Sequence, residues 1–211
     1  MYGNREEKHF YFERIELAFA MQIIHCTKKL LNEIEASPSG SMAPEYASGF
    51  LGPWHANLIR IERRKCLLLT NDRTLYSILI PGVKKKNLDT FRELFALHLK
   101  MNLAKEGFGP KDIDKALEEY GEIAIAPTNS RSVLGSMNDL ADQADFLVSR
   151  AGGLEKGDML TVNMMLNRIP MGAIKYRYAI DNIYELFGRT DKIRLPINPF
   201  RFEPVCSDGV I

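Results

Sequence analysis

The chain has 211 residues, 45% of them hydrophobic and 26% charged, which excludes an intrinsically disordered protein and predicts one domain of ordinary size. Its 28 Lys and Arg residues balance 27 Asp and Glu residues, so any binding to nucleic acid or anionic lipid needs a local patch instead of a field from the whole molecule. No apolar run reaches the roughly 18 to 20 residues that cross a bilayer, and the charged N-terminus has no signal-peptide core, so we expect a cytoplasmic protein.

The number and spacing of the cysteines argue against disulfides and metal binding. Cys26, Cys66 and Cys206 lie far apart and form no CxxC pair, so reduced thiols are expected. We interpret Cys26 and Cys66 as buried hydrophobic residues, although a catalytic pair with His25 or His55 stays open. The GxGxxG, HExxH and GxSxG signatures and the P-loop are absent, and we predict neither a cofactor nor a metal site.

The folded part of the chain is predicted to begin after an N-terminal extension of residues 1–20. A short β-branched strand and a helix are expected in MQIIHCTKKLLNEIE, followed by a loop at 37–53 rich in Ser, Pro, Gly and Ala. Residues 21–188 are predicted to form a single domain. Prolines in the last part of the chain predict an irregular tail over 189–211.

Three apolar runs between Trp54 and Ile80 predict an antiparallel meander. The runs are WHANLIRI, CLLLTN and TLYSILI, each long enough for a strand but short for a helix. Pro81 and Gly82 end the third run, because proline cannot donate to a β-ladder and glycine tolerates a turn. EIAIAPT at 122–128 alternates like a further strand. We therefore predict an antiparallel sheet of about four to five strands.

Apolar residues three and four positions apart predict several helices that pack on this sheet. One helix is expected from Asn87 and another from Pro110, which suits a first helical turn, and two more at 158–166 and 178–187. The clearest stripe follows the last strand and consists of Val133, Met137, Leu140, Ala144 and Leu147. Strands among helices, without regular βαβ alternation, predict an α+β fold.

The WHAN segment supplies the first candidate functional residues. Alternation along a strand places His55 and Asn57 on one face, with Trp54, Ala56 and Leu58 on the other. A histidine is suited to proton transfer near neutral pH, which makes His55 the candidate catalytic residue, and Asn57 can bind or orient a ligand. The alternative is that both side chains face solvent or satisfy neighbouring backbone groups.

Two basic clusters are the second candidate. Arg63 and Arg64 stand at a predicted hairpin beside Lys65, and the run 84–86 adds three lysines. Guanidinium groups match phosphate oxygens, so these residues are candidate ligand contacts if both clusters lie at one end of the sheet. The alternative is that the charges keep the hairpin ends soluble and discourage pairing of strand edges.

A polar segment at a predicted helix start is the third candidate. Asn129, Arg131, Ser132, Ser136 and Asn138 lie where free backbone NH groups and the positive end of a helix dipole commonly hold phosphate or carboxylate. The alternative is that the small polar residues cap the helix and let another element pack closely. Asn167 and Arg168 are interpreted as a helix end.

Several strings, in order, carry a resemblance to a known family. They are IIHCTKKLL, LGPWHANLI, RRKCLLLTNDRTLYSILIPGVKK, NSRSVLGSMNDLADQ and LNRIPMG. Over about residues 21–187 the chain resembles a bacterial family of unknown function. The resemblance implies no activity and no catalytic residues. It places Met21 where such proteins begin.

Two functional hypotheses follow. The first is a small cytoplasmic binding or accessory protein, with a phosphate-bearing ligand or a protein partner held by the WHAN strand, the basic hairpin and the polar helix start. The second is an enzyme acting on a nucleotide or RNA, such as a toxin-like nuclease. In that enzyme His55 serves as acid or base, Asn57 and Asn138 position the substrate, and Arg64 and Arg131 neutralise phosphate charge.

Overall fold

A computed structural model describes residues 21–34, 50–84, 90–118 and 122–190. The predicted N-terminal extension, most of the loop at 37–53 and nearly all of the predicted tail lie outside these ranges, as does Asn87. Within the described ranges, no helix is long and apolar enough to cross a membrane.

Five strands form one mixed sheet. They are β1 (Met21–Cys26), β2 (Trp54–Ile61), β3 (Arg64–Asn71), β4 (Ser77–Ile80) and β5 (Glu122–Pro127), in the spatial order β4-β3-β2-β1-β5. Strands β2, β3 and β4 pair antiparallel, which confirms the predicted meander. Strand β1 runs parallel to both β2 and β5. The prediction of a wholly antiparallel sheet is therefore wrong.

The parallel pairing follows from the helices that connect the strands. Helix α1 (Lys28–Ile34) lies between β1 and β2, while α2 (Phe91–Lys105) and α3 (Pro110–Leu117) lie between β4 and β5. A crossover through a helix returns the chain in the same direction, whereas a tight hairpin reverses it. The loop predicted at 37–53 separates β1 and α1 from β2 in sequence, and the periodicity of the flanking segments does not show that the three form one βαβ unit.

Three further helices occur at or next to their predicted positions, and two short strands lie where none was predicted. They are α4 (Arg131–Arg150), α5 (Met159–Leu166), the two-residue strands β6 (Pro170–Met171) and β7 (Arg177–Tyr178), and α6 (Ala179–Leu186). Helix α2 begins after Thr90. Residues 172–174 form a short 3₁₀ turn between β6 and β7. The six helices and the mixed sheet of the described ranges make this an α+β fold.

Both faces of the sheet are buried, which explains why its strands read as nearly continuous apolar runs. On one face, Trp54 and Leu69 pack with Phe95 and Leu99 of α2 and with residues of α3 and α6. The opposite face is covered by α4 and α5. The predicted apolar stripe of α4 is confirmed, because all five of its residues are buried there.

Two asparagines of the α5 region close the outer edge of β4. Asn167 accepts a hydrogen bond from the Ser77 backbone NH (2.6 Å) and donates one to the Ser77 carbonyl (2.8 Å). Asn163 makes the same pair of bonds with Leu79, at 2.9 and 3.2 Å. The two amides lie one helical turn apart and replace a neighbouring strand, so we call them the amide clamp. Asn167 is therefore more than the helix end that its sequence position indicates.

A buried ion pair joins the end of α2 to the end of α5. Arg168 donates to both carboxylate oxygens of Glu106, at 2.8 and 2.7 Å, and Glu106 is 1% exposed. Tyr184 of α6 donates to the Glu106 carbonyl. Burial raises the pKa of Glu106, and the hydrogen bonds from Arg168 act in the opposite direction. The pair ties three helices together on the α2 face.

The amide clamp generates a stability prediction. Asn163→Ala leaves the NH and C=O of Leu79 buried without partners, and each such group costs about 1–3 kcal/mol. We expect the free energy of unfolding, measured in urea, to fall by about 2–4 kcal/mol. Asn138→Ala on the exposed side of α4 is the control and should change it by less than about 0.5 kcal/mol. Equal effects of the two substitutions would contradict the clamp.

Candidate functional site

A row of polar side chains crosses the sheet on the α4 face. His25 of β1 pairs with His55 of β2, His55 with Thr70 of β3, and Thr70 with Ser77 of β4. All four are at most 8% exposed. The side chains around this row are mostly apolar. Each buried polar side chain in the row therefore needs a hydrogen-bond partner.

His25 makes two hydrogen-bond contacts through its ring nitrogens. Its Nδ1 lies 2.9 Å from the Pro127 carbonyl, which only accepts, so Nδ1 carries the hydrogen. Its Nε2 lies 3.2 Å from Nδ2 of Asn129, which donates. These two contacts fix the orientation of the His25 ring between the end of β5 and the start of α4.

His55 is more deeply buried than His25, the other histidine of the row. Its ring stacks on His25 at a centroid distance of 4.9 Å, and its Nδ1 lies 2.6 Å from Oδ1 of Asp72. His55 is 0% exposed, whereas the Asp72 side chain is 16% exposed. The carboxylate keeps a hydrogen on Nδ1 and leaves Nε2 as the reactive nitrogen. That Nε2 is buried without a hydrogen-bond partner in the part of the chain described.

A second polar pair lies one step further along β1 and β2. Thr27 follows the last residue of β1 and donates to Oδ1 of Asn57 at 2.9 Å. Both residues are only half-buried. We use the name histidine site for the six side chains that these contacts bring together: His25, Thr27, His55, Asn57, Asp72 and Asn129.

The histidine site lies at the carboxyl ends of the parallel pair β1 and β5, beside the start of β2, and the chain connections diverge there. From the carboxyl end of β1 the chain leads towards β2 on one side, while β5 lies on the other side. In sheets with parallel strands, ligands bind beyond the carboxyl ends at such switch points. The first turn of α4 is adjacent: Ser130 caps it by accepting from the Val133 NH at 3.3 Å, and Arg131 and Ser132 are exposed.

The basic hairpin lies elsewhere. His55 and Ile61 are six residues apart on β2, about 20 Å at the rise of a strand, and Arg63 and Arg64 stand at the turn beyond Ile61. Lys84, the described member of the second basic cluster, lies at the same end of the sheet as Lys65, because the Val83 NH donates to the Lys65 carbonyl at 2.8 Å.

Acidic side chains contact the cations of the hairpin. Arg64 forms an ion pair with Glu155, and Lys65 forms one with Glu33 at 2.6 Å. The structure therefore does not bring Arg63 and Arg64 together with His55. Lys85 and Lys86 lie outside the described residues.

The other residues predicted at the helix start lie on opposite sides of α4. Ser136 is 5% exposed and faces the covered side, whereas Asn138 is exposed. Two residues along a helix correspond to about 200° of rotation. Asn138 therefore does not face the histidine site.

Sequence reasoning missed Thr27 and Asp72 and left the role of His25 open. Asp72 follows β3 in the turn-like string TNDRT. Acidic residues are common in turns, so its presence there does not indicate a functional site. The available signal was that Asp72 shares strand parity with Thr70, the register partner of His55. Finding it required knowing how β2 and β3 align.

Among the described residues, strand geometry separates Cys26 from the histidines. Cys26 follows His25 directly and belongs to the core of the opposite face, with Trp54. Burial raises the pKa of the Cys26 thiol to about 12, and burial also raises that of Cys66. The interpretation of both as buried hydrophobic residues is confirmed. Among the described residues, no group of three or more His, Cys, Asp or Glu side chains forms a metal site.

Comparison with protein-family models matches residues 23–182 to a domain of unknown function, DUF6933. The match covers well over half of the chain. The chain belongs to this family. Comparisons with curated proteins and with solved structures gave no match. The predicted resemblance to a family of unknown function is confirmed, and all six residues of the histidine site and both asparagines of the amide clamp fall within the match.

The buried thiols of this DUF6933 chain give a chemical prediction. At pH 8, a thiol whose pKa is about 12 is ionised in only about one molecule in ten thousand, so it reacts slowly with alkylating reagents. In a Cys206→Ser background we expect Cys26 and Cys66 to stay unmodified in the native protein and to react quickly in urea, as followed by mass spectrometry. Fast modification of Cys26 in the native protein would contradict its burial.

The raised thiol pKa values also set a pH dependence. The folded state keeps these protons where the unfolded thiols, with a pKa of about 8.5, lose them. The free energy of unfolding therefore falls as the pH rises above the pKa of the unfolded thiols, and the thiols do not change it at lower pH.

Proposed function

We propose that this DUF6933 domain binds a small phosphate-bearing ligand at the histidine site. The observation that carries the proposal is the buried, unpartnered Nε2 of His55. A buried polar atom without a partner costs free energy, and a ligand group that hydrogen-bonds to it removes that cost. With Nδ1 held by Asp72, Nε2 accepts from a ligand hydroxyl when the ring is neutral and donates to an anion when it is protonated.

The surroundings of the histidines favour an anion. The first turn of α4 presents backbone NH groups and the positive end of a 20-residue helix, which attract phosphate. Asn129 connects this turn to His25, and Arg131 and Lys28 are exposed on either side, at the starts of α4 and α1. A guanidinium at this place can hold two phosphate oxygens.

The proposal is narrower than the surface expected from sequence. It keeps the WHAN strand and the polar helix start, and it leaves out the basic hairpin with Arg63 and Arg64, which lies at the far end of β2. A binding or accessory role in the cytoplasm, in a bacterial family, stays a prediction.

One observation favours a second candidate function, an enzyme acting on a nucleotide or RNA. The 2.6 Å contact between Asp72 and His55 has the arrangement by which a carboxylate orients a histidine base. In such an enzyme Nε2 of His55 takes the proton of an attacking hydroxyl or water, Asn57 positions the substrate, and Arg131 neutralises phosphate charge. A toxin-like nuclease is one form of this enzyme. Arg64 and Asn138 have no part in it.

Ligand binding is tested by thermal shift. The full chain is screened with inorganic phosphate, nucleotides, short RNAs and phosphorylated metabolites. A ligand at a hundred times its Kd adds about 2.7 kcal/mol, which raises the Tm of a domain this size by about 5–10 °C. We expect Arg131→Ala and Asn129→Ala to abolish the shift and Asn138→Ala to keep it. If no phosphate-bearing compound shifts the Tm, or if Arg131→Ala responds like the wild type, the proposal fails.

Catalysis is tested separately, with any RNA or nucleotide that binds. With the ligand at saturating concentration, so that weaker binding does not account for the loss, we expect His55→Gln and Asp72→Asn to lower the hydrolysis rate by about 10²–10⁴-fold. Asp139→Asn, on the exposed side of α4, is the control and should leave the rate unchanged. Binding without any turnover in the wild type would favour the binding protein over the enzyme.

A further inference from the structure

Four aromatic side chains form one cluster on the α2 side of the sheet. The ring centroids of Phe50 and Phe187 lie 4.8 Å apart, those of Phe187 and Phe108 4.7 Å, and those of Phe108 and Tyr184 5.3 Å. Phe108 and Tyr184 are buried, whereas Phe50 and Phe187 are half-buried. The cluster therefore extends the core to the surface, where parts of two rings are accessible to a ligand.

Three cationic side chains contact this cluster. Nζ of Lys115 lies 3.8 Å from the centroid of the Phe50 ring, and the guanidinium carbon of Arg189 lies 4.9 Å from that of the Phe108 ring. Arg73 donates a hydrogen bond to the Phe50 carbonyl at 3.2 Å. We use the name aromatic–cation patch for Phe50, Arg73, Phe108, Lys115, Phe187 and Arg189.

The cations of the aromatic–cation patch are held by neutral groups. At the hairpin between β2 and β3, by contrast, Arg64 pairs with the carboxylate of Glu155. Arg73 and Lys115 form no ion pair with an acidic residue in the described ranges. Aromatic rings and carbonyl groups orient a cation without cancelling its charge, so both charges stay available to an anion.

The side chain of Arg73 is fixed in place although it is exposed. Its aliphatic part lies against Gly52, where a Cβ would stand 2.5 Å from Cδ of Arg73, and the φ of Gly52 is +76°. Only glycine adopts this backbone conformation readily and leaves room for the arginine. A guanidinium that is already ordered loses little conformational freedom when it binds an anion.

The aromatic–cation patch and the histidine site are neighbours across the turn between β3 and β4. Asp72 contacts His55 at 2.6 Å on the α4 side of the sheet, while the next residue, Arg73, contacts Phe50 on the α2 side. Adjacent Cα atoms are about 3.8 Å apart. A ligand that passes this turn can therefore reach both places.

We propose that the aromatic–cation patch binds a single-stranded nucleic acid, one phosphate of which occupies the histidine site. The inference rests on the proposed function and names the class of its phosphate-bearing ligand. Proteins hold single strands with cations along the backbone and aromatic side chains against the bases, and the patch supplies both. A duplex is stiff over about 50 nm, whereas a single strand can bend around the end of the sheet.

The experiment measures fluorescence anisotropy of labelled oligouridylates with the full chain. A strand of about ten nucleotides should bind about tenfold or more tightly than a dinucleotide, which reaches the histidine site alone. Arg73→Gln and Lys115→Gln should each weaken the longer strand about three- to tenfold. Each should also lower the slope of log Kd against log salt by about 0.7, and leave the dinucleotide unchanged.

Arg60→Gln is the matched control, because it removes an exposed positive charge near the opposite end of β2. It should bind both oligonucleotides like the wild type, and circular dichroism verifies that every variant is folded. Equal affinity for the two lengths, or an Arg73→Gln variant that binds the longer strand like the wild type, overturns the inference and leaves the proposed function intact.

Two further outcomes separate the remaining alternatives. A poly-glutamate peptide that binds as tightly as the longer strand would show a surface for any polyanion and would overturn the choice of nucleic acid. Binding of the longer strand that depends on Arg73, without any response to inorganic phosphate or the dinucleotide, would support the aromatic–cation patch and overturn the proposed role of the histidine site.

Discussion

The parallel pairing of β1 with both β2 and β5 determines where the polar side chains of this protein meet. It sets His25 beside His55 on one side and beside the end of β5 on the other. An antiparallel β1 in the same position would place its carboxyl end, with His25 and Thr27, at the opposite end of the strands. The crossover through α1 therefore creates the histidine site, although α1 contributes no side chain to it.

Burying the side chains of the polar row between two covered faces costs desolvation free energy. Hydrogen bonds at both ends of the row offset part of that cost. Asn129 bonds to His25 at one end, and Asn167 bonds to the Ser77 backbone at the other. Between them Thr70 and Ser77 bond to each other at 2.9 Å. A one-residue slip of any strand would break this row, so the row also specifies the register. His55 Nε2 is the exception, which is why the proposed function rests on it.

The sequence predicts elements that depend on near neighbours and misses those that depend on pairing. Apolar runs predicted the meander, and the stripe from Val133 to Leu147 predicted α4, because both patterns are local. The direction of β1 was missed, since the loop at 37–53 gives no sign of a crossover. His55, Asn57 and Asn129 were candidates as unusual polar residues in their own segments. Asp72 belongs with them only through strand register, which composition and periodicity do not encode.

The amide clamp closes the β4 edge of the sheet. At β4 the backbone groups of Ser77 and Leu79 are already occupied by Asn163 and Asn167, so another chain cannot add a strand there. Open strand edges are templates for aggregation, and proteins commonly protect them with charges, prolines or bulges. Here the protection comes from two neutral amides on a neighbouring helix. Loss of that helix during partial unfolding would expose a short, strongly apolar edge, so resistance to aggregation in this protein depends on α5 remaining docked.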